Sequence, residues 1–376
     1  MKGRWDKYLL GGLVGVLVGC SSKPTDRGQQ YKDGHLDQAL ERVNQPNAKG
    51  VLVNSQNYLN QLLEIKYATP VLFDRYNTTY QAVQNWLSAG ADTRQLNQYG
   101  LSADQMKGVD NYGNVQFTGY YTPVLQARYT QQGAFRYPIY RMPLKGKKPL
   151  PNRASIYSGA LDDRYIIAYT NSLIDNFMME VQGSGYVDYG NGQPLVFFGY
   201  GGKNGHAYRS IGKVLIDRGA VAQADMSLQA IHQWADSHSA AELRELLEQN
   251  PSFVFFRPEA FASVKGASAV PLIAKASVAS DSSLISAGTT LLAEVPLLDN
   301  KGQFTGKYEM RLMVALDVGG AIKGQHFDLY QGIGSAAGHS AGYYNHYGRV
   351  WVLSGTSGAR LSSANPHSGG RLLLNR

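Results

Sequence analysis

The stretch Asp317-Val-Gly-Gly-Ala-Ile-Lys-Gly-Gln-His-Phe-Asp328 carries two carboxylates separated by a run that includes Gly319, Gly320 and Gly324. A carboxylic acid that stays protonated near neutral pH can deliver a proton to a leaving oxygen, and it needs apolar surroundings that penalise its charged form. Asp328 stands between Phe327 and Leu329, with Tyr330 next, so a raised pKa is expected. Asp317 closes an alternating segment with Met310, Leu312, Val314 and Leu316 on one face and Arg311, Met313, Ala315 and Asp317 on the other, the period of a β-strand. This reading puts both carboxylates on a glycine-loosened loop at a strand's end. An aspartate before Val-Gly-Gly also suits a plain Asx turn, so Asp317 keeps two readings.

Other clusters compete. In Asn111–Pro123 a glycine, Gly119, interrupts a strand-like run beside Thr118, Tyr120 and Tyr121, which fits a packed strand bend as well as a groove wall. Val181-Gln-Gly-Ser-Gly-Tyr186 and Tyr200-Gly-Gly-Lys-Asn-Gly-His-Ala-Tyr-Arg209 are glycine-rich loops with polar tips. Neither has Walker spacing or a dinucleotide fingerprint, which disfavours a phosphate cradle, and Ser184 lacks the Gly-x-Ser-x-Gly spacing of a nucleophile elbow. His206, His326, His339 and His346 are framed by no His-x-x-His or Glu-x-x-His helix, so ordinary hydrogen-bonded histidines are expected and no metal site.

The elements that must position these residues begin after a targeting segment. Lys2, Arg4 and Lys7 precede an apolar run, Tyr8 to Val18, that ends in Leu17-Val-Gly-Cys20. The run is too short to span a bilayer and reads as a lipoprotein signal over 1–19, with Cys20 as the lipid acceptor. Ser21 and Ser22 follow, where an aspartate would argue for inner-membrane retention, so the expected address is the outer membrane, facing the periplasm. Cys20 is the only cysteine, which rules out an internal disulfide. Residues 20–50 read as a polar tether, with Pro24, Gly28, Gly34 and Pro46. Helices are expected over Tyr58–Tyr67 and Asn77–Ala89, and a strand over Asn114–Tyr121. The middle, 123–263, mixes short strands with three helical stretches, one opened by the capping box Ser239-Ala-Ala-Glu242. Short apolar strands from Ala269 to Val295 suggest a barrel, and 354–376 reads as a disordered tail.

The formal charge of +8 hints at an anionic partner, but the signal holds +2 and the tail +3, which leaves only +3 for the body. Without a Lys/Arg run this is no nucleic-acid footprint. The 25 tyrosines suit a carbohydrate groove, although surface tyrosine is common without any ligand.

Taken in order, Leu17-Val-Gly-Cys20, Asn114-Val-Gln-Phe-Thr-Gly-Tyr-Tyr-Thr-Pro123, Gln182-Gly-Ser-Gly185, Gly205-His-Ala-Tyr-Arg-Ser-Ile-Gly-Lys213, Asn250-Pro-Ser-Phe-Val-Phe-Phe256 and Asp317–Asp328 resemble the enterobacterial membrane-bound lytic murein transglycosylase A family. The resemblance covers nearly the whole chain, weakens over 30–75 and fails in the tail. It implies a mainly β protein with peripheral helices: a double-psi β-barrel domain built from 51–122 and 264–353, a smaller β-rich domain inserted at 123–263, and a groove between them. The implied reaction cleaves the β-1,4 bond after N-acetylmuramic acid and closes a 1,6-anhydro ring, without metal or organic cofactor. Asp328 is the implied catalytic residue, and Asp317 orders the site or stabilises charge at the sugar carbon. Thr118, Gly119, Tyr120, Tyr121, Gln182, Gly183, Ser184, Gly185, His206 and Lys323 are the candidates for holding the glycan strand. The implied partners are peptidoglycan strands, the outer membrane and wall-synthesis proteins, with the chain itself monomeric. A wall-binding scaffold, or a hydrolase using Asp328 as acid and Asp317 as base, are the alternatives that product analysis separates.

Overall fold

Backbone pairing divides the strands between two sheets. A computed structural model describes residues 27–144, 150–190, 192–260 and 262–356; the signal, Cys20 and positions 357–376 lie outside the described residues. The chain opens with β1 (Leu40–Val43), two helices α1 (Ser55–Ala68) and α2 (Pro70–Ser88), then β2 (Leu101–Met106) and β3 (Val115–Thr122). After the middle of the chain come β10 (Ser277–Ala279), β11 (Thr290–Leu298), β12 (Phe304–Asp317), β13 (His326–Ile333), a helix α8 (Ser335–Tyr343) and β14 (Asn345–Gly355). These strands form one sheet in the order β1-β2-β14-β11-β12-β10-β13-β3, and β3 pairs again with the first half of β14. That last pairing closes a six-stranded ring, the barrel expected from two separated chain segments, with β10–β12 and β13–β3 parallel.

Strict alternation gives the ring two apolar faces. Phe117, Val278, Leu291, Met313, Ala315, Phe327, Leu329 and Val350 fill its interior. Leu312, Val314, Leu316, Tyr330, Trp351 and Leu353 point outwards and pack under α1 and α2, against Tyr58, Leu62, Ile65, Tyr80, Val83 and Trp86. Both helices start earlier than their sequence pattern suggests: α2 begins at Pro70, which tolerates the first helical turn because its missing N–H would go unpaired there anyway. Buried amides on and beside α1 substitute for a missing strand neighbour. Asn54 donates to the carbonyls of Lys275 and Leu312 and accepts from the Leu312 N–H, while Gln61 bonds Pro271, Ile273 and Ser277. The start of the short β10 is thereby fixed.

Between the barrel segments run β4 (Val124–Arg128), β5 (Tyr137–Tyr140), α3 (Arg153–Tyr157), β6 (Ile166–Thr170), α4 (Leu173–Gln182), β7 (Gly185–Asp188), β8 (Val196–Lys203), α5 (Ile211–Asp217), α6 (Leu228–Asp236), α7 (Ala240–Glu248) and β9 (Val254–Ala260). Their strands form a second sheet, β5-β6-β4-β7-β8-β9. Helices α4 to α7 share a core around Phe177, Leu215, Leu246 and Leu247. The capping box at Ser239 forms with both of its hydrogen bonds. Among the described residues five helices stand where three were expected, because α3 and α5 have only five and seven residues, too few for a helical period to register.

Two expectations are corrected. The tether is no tether from Arg27 onward: β1 pairs with β2, the Tyr31 hydroxyl bonds buried Glu294, and the Lys49 N–H donates to the same carboxylate at 2.5 Å. Polar composition conceals this because the few apolar anchors, Leu36, Leu40, Val43 and Ala48, show no clear period and are joined by hydrogen bonds to distant partners. Ser354 and Gly355, expected in the tail, pair with Ser102 and Leu101, and positions 357–376 of that expected segment lie outside the described residues.

Candidate active site

Asp328 lies in strand β13 and not in a loop. The glycine run is confined to the connection 318–325, and from His326 onward the backbone finds ladder partners on both sides, β10 and β3. Alternation then sends Phe327 and Leu329 into the barrel interior and leaves His326, Asp328 and Tyr330 on the outer face. The apolar sequence neighbours of Asp328 therefore do not surround it, apart from Tyr330. Its burial comes from strands brought alongside.

The same face receives Asp317 through a break in pairing. Along the parallel β10–β12 ladder Ser277 faces Val314 and Val278 faces Ala315, but Ala279 faces Asp317, with Leu316 passed over. Such a bulge turns the next side chain to the other side. Asp317 is thereby turned from the interior face, where alternation with Met313 and Ala315 would put it, to the outer one. Ala279 also faces Asp328, and Asp328 faces Thr118 on β3, which faces Asn345 on β14. One transverse row thus reads Asp317, Ala279, Asp328, Thr118, Asn345. Two strand spacings of about 4.8 Å put the two aspartate backbones on the order of 10 Å apart, with only a methyl group between.

The two carboxylates have different surroundings. Asp317 accepts the N–H groups of Ala267 and Val318, each at 2.9 Å, and the Tyr120 hydroxyl at 3.0 Å. Burial raises its pKa, and these three donors oppose the rise. Among the described residues the Asp328 carboxyl has one hydrogen-bond partner, the Thr118 hydroxyl at 2.7 Å. Burial pushes it up to about 7, the Thr118 bond lowers it slightly and the charge of Asp317 adds to the rise. Burial thus raises both carboxyl groups, with three donors opposing the rise at Asp317 and one at Asp328. Nε2 of His326 lies 2.8 Å from the same Thr118 oxygen. The ring of Tyr120 packs on Tyr330, centroids 5.2 Å apart, and Tyr186 and Phe197 from the second sheet join that cluster.

The remaining candidates scatter. Thr118 and Tyr120 are at the carboxylates, but Gly119 faces away: a Cβ there would meet the backbone of Ala341 on α8 within 2.8 Å, so the glycine permits close helix packing. Tyr121 also faces away, its ring against Gly338 and its N–H donating to the Gln182 side chain. It borders a cavity of about 470 Å³ with Asp175, Gln229, His232 and His339. Gly183 ends α4 at φ +81°, and Gly185 sits against Met179, so the Gln182–Gly185 loop adjoins the end of β3, with Ser184 half-buried at its middle. His206 bonds the Leu150 carbonyl within the inserted part, and no contact brings it to Asp328. Lys323 is exposed in the 318–325 connection, near Asp281. Two participants were missed. The sequence reading takes His326 for an ordinary hydrogen-bonded histidine rather than a metal ligand and gives it no part in the site, although its place two residues before Asp328 puts both on one strand face. Ala279 carries no chemical signal of its own. Among the described residues no group of three or more His, Cys, Asp or Glu side chains is placed to hold a metal ion.

Comparison with known proteins agrees with this architecture. Residues 116–257 match the family model described as the MltA specific insert domain, and residues 276–354 match the 3D domain model. The chain is 67% identical over 360 residues to the membrane-bound lytic murein transglycosylase A of Escherichia coli, covering 96% of this chain and 98% of that one. A Vibrio cholerae protein of the same name is 44% identical, with 90% and 92% covered. The crystal structure of E. coli MltA with bound chitohexaose superposes with a TM-score of 0.86 at 66% identity, covering 89% of this chain and all of that one. The chain belongs to the membrane-bound lytic murein transglycosylase A family.

Proposed function

We propose that this chain is a lytic transglycosylase that cleaves peptidoglycan between N-acetylmuramic acid and N-acetylglucosamine, with Asp328 as its single acid/base. The observation that carries this reading is the asymmetry of the carboxylates. Asp328, held protonated by burial, is suited to protonate the glycosidic oxygen, and Asp317, already accepting three hydrogen bonds, is a poor base. As the C1–oxygen bond breaks, the C6 hydroxyl of the same muramic acid attacks C1 and gives its proton to Asp328. The acid is restored and no water is consumed. A hydrolase would need a second free carboxylate to activate water. Asp317 orients Tyr120 and contributes negative charge toward the developing oxocarbenium ion.

The groove is the face between the barrel and the inserted sheet, and we take the division between the two parts at Thr122/Pro123 and near residue 263. Thr118 and Tyr120 contact the glycan there, with the Gln182–Gly185 loop at the groove's edge. The relatives are named membrane-bound, and no helix among the described residues is long and apolar enough to cross a membrane; lipid on Cys20, holding the chain at the outer membrane, fits both.

The test is to incubate the mature domain with purified sacculi and weigh the released muropeptides. Products lighter by one water than hydrolysis products support the reading. Hydrolysed products establish the two-carboxylate alternative, and no release establishes a binding protein.

A further inference from the structure

We propose that His326 is a positioning residue for the acid: acting through the hydroxyl of Thr118, it keeps the proton on Asp328. This rests on the reading of Asp328 as the acid and adds a reason for its protonation. His326 and Asp328 are two residues apart on β13, and the parallel neighbour β3 puts Thr118 directly beside Asp328. The Thr118 oxygen lies 2.7 Å from Oδ1 of Asp328 and 2.8 Å from Nε2 of His326. A hydroxyl has one hydrogen, so it donates to one of these neighbours and must accept from the other.

The imidazole also bonds the backbone of Ala321, in the sense that favours its protonated form, which is donation to the carbonyl. Nε2 faces Thr118, so we assign the Ala321 bond to Nδ1, which then carries the hydrogen and leaves a neutral imidazole with a lone pair at Nε2. When Asp328 is ionised the Thr118 hydroxyl donates to it, which lowers its pKa; when Thr118 donates to the histidine lone pair instead, its oxygen is left to accept from Asp328, which requires Asp328 to be the protonated acid. Moving the same proton to His326 reverses every bond in the array and creates an imidazolium and a carboxylate. Burial disfavours that pair of charges from both ends, raising Asp328 and lowering His326.

The other titratable groups acting on Asp328 and its neighbours are few. Asp317 acts on it from β12, and Tyr120 from β3 hydrogen-bonds Asp317 and feels both charges. The residues of β10 are Ser277, Val278 and Ala279, and β14 places Asn345 opposite Thr118 and His346 opposite Phe117. Lys323 and Asp281 lie in exposed connections. During the cycle Asp328 gives its proton to the glycosidic oxygen, Thr118 turns its O–H to the new carboxylate, and the proton returned from the C6 hydroxyl restores the first arrangement. The array neither gains nor loses a proton.

The test is the pH profile of anhydro-muropeptide release by the parent protein, His326→Ala, Thr118→Val and the double variant. In His326→Ala the freed Thr118 hydroxyl donates to the carboxylate, so the alkaline limb should move to lower pH by on the order of one unit. In the Thr118→Val background the same histidine change should move nothing. His326→Gln, whose amide oxygen can accept from Thr118, should return the limb toward the parent's, and it carries the test if His326→Ala does not fold by circular dichroism. An unmoved limb in His326→Ala, an equal shift in both backgrounds, or a glutamine variant that behaves like alanine overturns the proposal. Activity retained by Asp328→Asn would instead overturn the assignment of the acid itself.

Discussion

Asp317 and Asp328 share one face of the barrel only because the pairing of β12 with β10 slips at Leu316, which sets both carboxylates opposite the single residue Ala279. The bulge acts on geometry and on charge together. It brings a second carboxylate close enough to raise Asp328, while the backbone groups beside it oppose the rise that burial imposes on Asp317.

Asp328→Asn preserves shape but cannot give and recover a proton. Turnover on sacculi should fall on the order of 10²-fold or more, with binding of chitooligosaccharide retained. Asp317→Asn should cost less and should shift the alkaline limb of the profile to lower pH, because a negative neighbour that raises Asp328 is removed. Equal and complete loss in both variants would argue for a two-carboxylate mechanism.

Ala279→Val puts two more carbons on the row between the carboxylates. The expected result is a folded protein with kcat lowered on the order of 10²-fold, since displacements near 1 Å are enough to spoil alignment. Parent-like turnover would show that this gap is not where the glycosidic bond sits.

The raised acid has a cost in stability, with a definite sign. Asp328 has a native pKa of about 7 against an ordinary value of 3.8, so between those values the native state binds the extra proton and stability falls as pH rises. Above about 7 the penalty is complete. Asp328→Asn should therefore match the parent near pH 4 and exceed it near pH 8, by on the order of 2 kcal/mol after partial solvent exposure is allowed for. Thermal melts at the two pH values measure it.

Arg153 and Glu180 form a buried two-pronged pair, both contacts at 2.9 Å, and the arginine also donates to the Asn250 and Ser252 carbonyls. Removing the carboxylate leaves a buried cation without its counter-charge. Glu180→Ala should destabilise the protein by roughly 3–5 kcal/mol, read from urea unfolding, whereas a shift below 1 kcal/mol would mean that the pair is solvated.

Cys20→Ala should leave an unacylated precursor, while a mature domain behind another secretory signal should be soluble and active on sacculi. Membrane fractionation with a lipid label checks the first outcome, and a folded but inactive soluble domain would tie the anchor to catalysis.

Local patterning was enough to locate both carboxylates, the alternation of β12, the capping box at Ser239 and the end of α7 before Pro251, because each depends on neighbours within a few residues. A barrel assembled from two chain segments is implied by the family resemblance, while its six-stranded closure is seen only in the pairing; no periodicity encodes which strand lies beside which. Three features depended on tertiary structure alone. The bulge at Leu316 reverses the side on which alternation would put Asp317, and it exists only in the pairing with β10. The surroundings of Asp328 are built by Thr118 and Tyr120, some two hundred residues earlier, not by Phe327 and Leu329, whose side chains go to the opposite face. The segment from Arg27 to Gly50 looks like a linker by composition, yet it is tied down by contacts with Glu294 and Tyr347. Sequence specifies what each residue can donate, accept or bury, and the partner that decides its chemistry is supplied by strands that only folding brings together.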